Sequence, residues 1–294
     1  LVAQKLRLPW VSSVLAPASL LSAYDPIVPP QLPALYHLLR LHPFFTRMVL
    51  RIAFPKLEKI MEPVYRLRAD LGLPRGEQPI FGGQHSPELV LALFSRVLAQ
   101  PQRDWPPNTI VTGFPFYDRR DFLAETETSE ALWQFLDAGP PPIVFTLGSS
   151  AFWVAKDFYR DSIAAAQTLG QRALLLIGHA RNLPAEPLPK GVAAFEYGAY
   201  GEILPRASAI VHQGGVGTTG QGLRSGRPVL VVPHAHDQFD NGSRVARLGC
   251  GRMIARPRYN ADNATRELRK LLDDTKYTEK AEEVSREVQR ENGA

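Results

Sequence analysis

The sequence predicts an α/β protein in which parallel sheets are covered by helices and divided between two domains, the first of them incomplete. Three observations predict it. Short apolar runs such as "IVFTL", "ALLLI" and "VLVV" alternate with polar, helix-prone stretches, and strands that are apolar throughout belong to sheets buried on both faces. A chain of 294 residues, 45% hydrophobic and 21% charged, has the size for two cores and the composition of a folded globular protein. Three consecutive prolines, Pro140 to Pro142, punctuate the chain between two such α/β stretches.

The elements follow in order. The opening "LVAQKLRLPWVSSVLAP" reads as the end of a helix, a connection to Pro9 and a strand over Trp10 to Leu15. A domain opening in its middle, without an initiating Met, implies a piece of a longer chain. Residues 16–64 are rich in proline and aromatics and read as loops and short helices. A longer helix from about Phe44 to Leu71 follows, bent or broken by Pro55 and Pro63. "ELVLALFS" and "TIVTGFPFYD", Thr109 to Asp118, are strands. These give a first domain over residues 1–118.

Residues 119–141 read as a linker containing a helix. The second domain, 142–274, has strands at Ile143 to Leu147, Ala173 to Ile177, Val192 to Phe195, Ala209 to Val211 and Val229 to Val232. Helices lie between them, with Gly226 as a C-terminal cap, and closing helices fall near Asp240 to Leu248 and Asp262 to Leu272. A last helix, Thr275 to Arg290, lies within 275–294.

Charge and cysteine narrow the partners. A net charge of +5 without a run of Lys and Arg does not indicate nucleic acid. The single cysteine, Cys250, excludes an internal disulfide or a Cys-based metal cluster and points to a reducing, cytoplasmic compartment. No apolar run approaches the roughly 18 residues of a membrane span, and no signal-peptide pattern opens the chain.

The chemistry gathers in "HQGGVGTTGQG", His212 to Gly222. Gly215, Gly217 and Gly220 have the spacing of a dinucleotide fingerprint. That fingerprint belongs after the first strand of its domain, and here it follows about the fourth; Asp237 is a poor match for the ribose-binding acid. NAD is therefore rejected, but the physics of the run stays. Glycines between a strand and a helix let backbone N–H groups approach an anion, and the helix start adds a favourable field. "TLGSS", Thr146 to Ser150, repeats the arrangement, so two turns become two walls of a diphosphate pocket. In "PHAHDQFDN", Asp237 and Gln238 supply the mixed acceptors and donors that hold sugar hydroxyls. His234, His236 and Asp237 crowd one loop and do not make a metal site.

In that order and spacing, His212, the glycine turn, Gly226-x-Pro228 and Asp237-Gln238-x-x-Asn241 resemble the signature of the UDP-glycosyltransferase superfamily, glycosyltransferase family 1. The bacterial and sterol-type branches are the most similar. The resemblance implies the GT-B fold, two Rossmann-like domains facing a cleft. The second binds the nucleotide-sugar donor, the truncated first binds the acceptor, and the last helix packs back toward the first. It implies Ser149 and Ser150 near the diphosphate, with His212, Gly215, Gly217 and Thr218 opposite, and Asp237 and Gln238 on the sugar. It puts Tyr197 against the base and Tyr200 near base or ribose. Gln221 stands where many members have a ribose-binding Glu, which weakens that contact.

The implied reaction is inverting hexosyl transfer from a UDP-sugar, or another NDP-sugar, to a small hydroxylated, apolar acceptor. It uses no metal or cofactor. A lipid acceptor would add peripheral membrane contact. The implied His base and its Asp partner fall upstream of Leu1, so the chain contains no catalytic residue to name and would bind donor with little or no transfer. A UDP-sugar 2-epimerase and a non-catalytic nucleotide-sugar-binding accessory protein remain alternatives.

Overall fold

The computed structural model describes residues 1–117, 127–184 and 187–293; residues 118–126, where the linker helix is expected to begin, lie outside them. Residues 1–113 form one compact unit and residues 114–292 a second.

In the first unit, strands β1 (Val11–Val14), β2 (Leu89–Ala92) and β3 (Thr109–Val111) run parallel in that order. Val11 pairs with Leu89, and Val90 with Thr109. Val14, Val90, Ala92 and Val111 turn into the core. The strand expected over 109–118 ends at Val111, and four residues later Pro115 lacks a ladder donor.

Four helices accompany this sheet: α1 (Val2–Leu6), α2 (Leu35–Leu39), α3 (Pro43–Ile60) and α4 (Glu62–Asp70). The single helix expected over 44–71 is two. Pro63 sits in the first turn of α4, where a missing N–H costs nothing, and it sets the break at Met61. Pro55 stays inside α3 with its ring exposed, so that helix gives up a hydrogen bond without a clash in the core.

The second unit is built on six parallel strands in the order β6-β5-β4-β7-β8-β9. These are β4 (Ile143–Thr146), β5 (Ala173–Leu176), β6 (Val192–Phe195), β7 (Ala209–His212), β8 (Val229–Val231) and β9 (Gly251–Met253). β9 is not foreseen from the sequence, because three residues including Arg252 carry no apolar period. Its register is set by β8, where Leu230 pairs with Arg252.

The connecting helices are α5 (Glu127–Asp137), α6 (Gly148–Ala151), α7 (Phe158–Thr168), α8 (Tyr200–Ile203), α9 (Val216–Arg224), α10 (Gln238–Leu248), α11 (Ala261–Asp273) and α12 (Thr275–Arg290). Along β4, Ile143 and Phe145 enter a core with Leu175, Val211, Leu230, Phe158 and Leu268, while Val144 faces the opposite layer. All residues of β4, β5, β7 and β8 are buried, as a sheet covered on both faces requires. Helix α7 packs on α11, and α12 packs on α9 and α11. The order reverses at β4, and in such sheets the loops beyond the carboxyl ends diverge to leave a crevice.

Candidate functional site

Three loops at the carboxyl ends of β4, β7 and β8 carry most of the predicted residues. After β4, Leu147 is buried and Gly148 turns the chain at φ 57°, a left-handed angle that a side chain resists. The Gly148 N–H donates to Thr146 Oγ1 at 3.2 Å, and that oxygen lies 2.7 Å from the Tyr200 hydroxyl. Tyr200 is thus seated behind the first glycine turn, with burial raising the pKa of its phenol. Ser149 is exposed on α6; the Ser150 side chain lies outside the described residues.

After β7, the turn is organised by two side chains. His212 is fully buried, and its Nδ1 accepts the Gly214 N–H at 2.9 Å, which leaves the proton on Nε2. Burial pushes its pKa down to about 3, so the ring is neutral near pH 7. A Cβ on Gly222, in α9, would stand 3.5 Å from Nε2. The imidazole therefore lies beneath the turn, against α9.

Gln213 is the second organiser. It is buried, and its Nε2 donates to Thr218 Oγ1 at 3.4 Å. A Cβ on Gly148 would come within 2.4 Å of that nitrogen, and one on Gly215 within 2.8 Å. One amide thus brings the two glycine turns side by side with Thr218. Sequence reasoning passes over Gln213; the signal was a neutral polar residue between a strand-end histidine and glycines.

Gly215 caps α9, and the first turn of that helix holds Gly217, exposed with open space around it, and buried Thr218. Gln221 follows on the next turn, half-buried. Gly220 has a different job: its missing side chain seats the Phe114 ring, which a Cβ would meet at 2.9 Å.

The loop after β8 is tied to the same turn. Asn241 is fully buried, and its Nδ2 donates to the Gly214 carbonyl at 2.9 Å and to Asp237 Oδ2 at 2.8 Å. Gln238 Oε1 accepts the His234 and Ala235 N–H groups at 2.7 and 3.0 Å. Gln238 therefore closes its own loop, while Asp237 is half-buried at the start of α10. His234 donates from Nδ1 to the Val232 carbonyl at 2.8 Å and is held down to about 4 by burial. Among the described residues no group of three His, Cys, Asp or Glu is placed to hold a metal ion.

Tyr197 is 67% exposed beyond β6, and it lies close enough to Tyr200 to help raise the pKa of that phenol. Around the second turn, His212 Nε2, Gln213 Oε1, Thr219 Oγ1 and Asn241 Oδ1 are buried without a hydrogen-bond partner. Buried polar atoms are rarely left so, and their clustering sets this turn apart from the rest of the sheet's loops.

A doubly wound sheet with two glycine turns joined at its switch point defines a Rossmann-type ligand-binding unit. Residues 165–292 match the model of the erythromycin biosynthesis protein CIII-like family, C-terminal domain. The chain is 31% identical over 201 residues to O-mycaminosyltylonolide 6-deoxyallosyltransferase of Streptomyces fradiae, covering 67% of this chain and 45% of that one. It is 30% identical over 239 residues to a sterol 3-beta-glucosyltransferase of Debaryomyces hansenii, covering 77% and 15%. It therefore spans less than half the length of these relatives. The solved structure of spinosyn forosaminyltransferase SpnP superposes with a TM-score of 0.67 at 17% identity, over 99% of this chain and 69% of that one. The chain is a GT-B-fold protein related to the sterol and NDP-sugar glycosyltransferases.

Proposed function

We propose that the second unit is the donor site of a glycosyltransferase that moves a hexosyl group from a UDP-sugar, or another NDP-sugar, to a small hydroxylated, apolar acceptor with inversion. The observation that carries this is the Gln213 amide, which holds the turns at Gly148 and Gly215 together beside the start of α9. Backbone N–H groups and a helix start converging on one space suit a diphosphate.

In this reading Ser149, Ser150, Gly215, Gly217 and Thr218 surround the diphosphate. His212 orients the Gly214 N–H, and Asp237 meets the sugar hydroxyls, steadied by Asn241. Gln238 shapes the sugar loop, Tyr197 offers an exposed ring to the base, and Gln221 and Tyr200 support the ribose side. The acceptor oxygen bonds to the anomeric carbon as the bond from that carbon to the diphosphate breaks. The donors around the diphosphate stabilise the charge that develops on it. The acceptor proton passes to a base, and none is assigned within this chain.

The first unit serves the acceptor, and a lipid acceptor adds peripheral membrane contact. The lone, buried Cys250 supports a cytoplasmic setting. Thermal shifts with UDP, UDP-glucose, TDP-glucose and NAD test the reading. Stabilisation by a nucleotide sugar is expected; stabilisation by NAD and by no nucleotide sugar would overturn it.

A further inference from the structure

Helix α3 turns an unusual face to water. Phe44, Arg47, Met48, Arg51 and Ile52 recur at spacings of three and four, which lines them along one side of the helix. All five are exposed, with Phe44 at 58%, Met48 at 40% and Ile52 at 68%. A solvated helix face ordinarily carries charges of both signs, and its apolar residues turn to the core. Here the core-facing side of α3 buries only Thr46. The apolar surface continues into the turn before α3, where Leu41 is 73% exposed, and onto Leu38 of α2.

The charge along this stretch of chain has one sign. Between Asp25 and Glu58 the chain has no acidic residue, while Arg40, Arg47, Arg51 and Lys56 are all exposed. Arg47 also donates to the Tyr24 hydroxyl at 2.6 Å, and Arg40 lies over the Tyr36 ring at 5.5 Å. Neither contact supplies a counter-charge.

Cationic groups interleaved with a phenylalanine, a methionine and aliphatic residues fit one surface better than others. At a bilayer interface the apolar side chains enter the acyl boundary, and Arg and Lys extend to anionic headgroups. A nucleic-acid backbone would engage the charges and leave Phe44 and Ile52 unused. Among the described residues no helix is long and apolar enough to cross a membrane, so the contact is peripheral.

We propose that the outer face of α3, with the turn that precedes it, is a docking surface for a bilayer bearing anionic lipids. This locates the lipid contact on particular side chains and does not depend on the donor site. Co-sedimentation with vesicles of phosphatidylcholine, alone or mixed with phosphatidylglycerol, tests it. The chain should bind the mixed vesicles selectively, and binding should fall as salt rises.

Arg51→Ala should lower partitioning about fivefold. The double change Phe44→Ser and Ile52→Ser should lower it by about tenfold or more. Leu183→Ser, an exposed apolar change in the second unit, should leave it unaltered. All these positions are exposed, so the variants should keep the parent's melting temperature and UDP binding. Equal binding to neutral vesicles, or a double variant that binds like the parent, overturns the proposal. So does salt-sensitive binding to RNA, with no selectivity for anionic vesicles, that ignores Phe44 and Ile52. A parent chain that selects anionic vesicles but fails to bind any nucleotide sugar removes the donor-site reading and leaves this one standing.

Discussion

Asn241 joins two loops with one nitrogen, donating to the Gly214 carbonyl at 2.9 Å and to the Asp237 carboxylate at 2.8 Å. The loop after β8 is thereby set by the glycine turn. Asn241→Ala should cost about 2 to 3 kcal/mol of stability, because it leaves buried acceptors unpaired. It should also narrow the difference in affinity between UDP-glucose and UDP. Urea unfolding and calorimetry check the two effects separately; an unchanged affinity difference would detach Asp237 from the sugar.

Gly148 and Gln213 should prove coupled. Gly148→Ala meets a left-handed φ, at a cost of about 1 to 2 kcal/mol, and also a contact at 2.4 Å with the Gln213 amide. Adding Gln213→Ala should recover the contact and leave the φ penalty. A double-mutant cycle in denaturant therefore expects the double variant to lose less stability than the two single losses combined, and strict additivity would show that the amide is displaced without cost.

His212→Ala should weaken UDP binding by about 1.5 to 3 kcal/mol. His212→Asn should restore most of that, since its amide oxygen can accept the Gly214 N–H where Nδ1 does now. Asn performing as poorly as Ala would instead place Nε2 on the phosphate. Calorimetric titration with UDP distinguishes the outcomes.

Acid should destabilise the second unit through the same ring. The folded state keeps His212 neutral down to about pH 3, whereas the unfolded chain takes the proton near the ordinary imidazole value of about 6.5. Stability is therefore complete above that value and falls as pH drops from it toward 3, by about 1.4 kcal/mol per pH unit from this group. His234, held down to about 4, adds in the same direction. Denaturation midpoints at pH 7, 6 and 5 should show the slope, and His212→Asn should reduce it.

Much of this was legible because buried parallel strands are apolar from end to end, so β4, β5, β7 and β8 announce themselves. β9 does not, since Arg252 and Met253 take their strand conformation from pairing with β8 and from no local preference. Proline positions were legible as interruptions, but not which of Pro55 and Pro63 would stand inside a helix and which in the first turn of a new one. In the site, the glycine turns and Asp237 stood out by type and spacing. Gln213 and the linking role of Asn241 did not, because their importance lies in contacts between separate loops, Asn241 to Gly214 across 27 positions of chain and Gln213 against Gly148, that only the sheet order makes neighbours.

The reversal of strand order at β4 has a consequence for how such a chain could change its cargo. The seat between the Gly148 and Gly215 turns is made by winding direction, by main-chain atoms and by the buried Gln213 amide, so it owes little to the chemistry of any rim side chain. Tyr197, Gln221 and Asp237 can each be exchanged without dismantling it. A scaffold of this kind separates what is held in common, an anionic handle, from what varies, the groups at its two ends, and lets each be retuned alone.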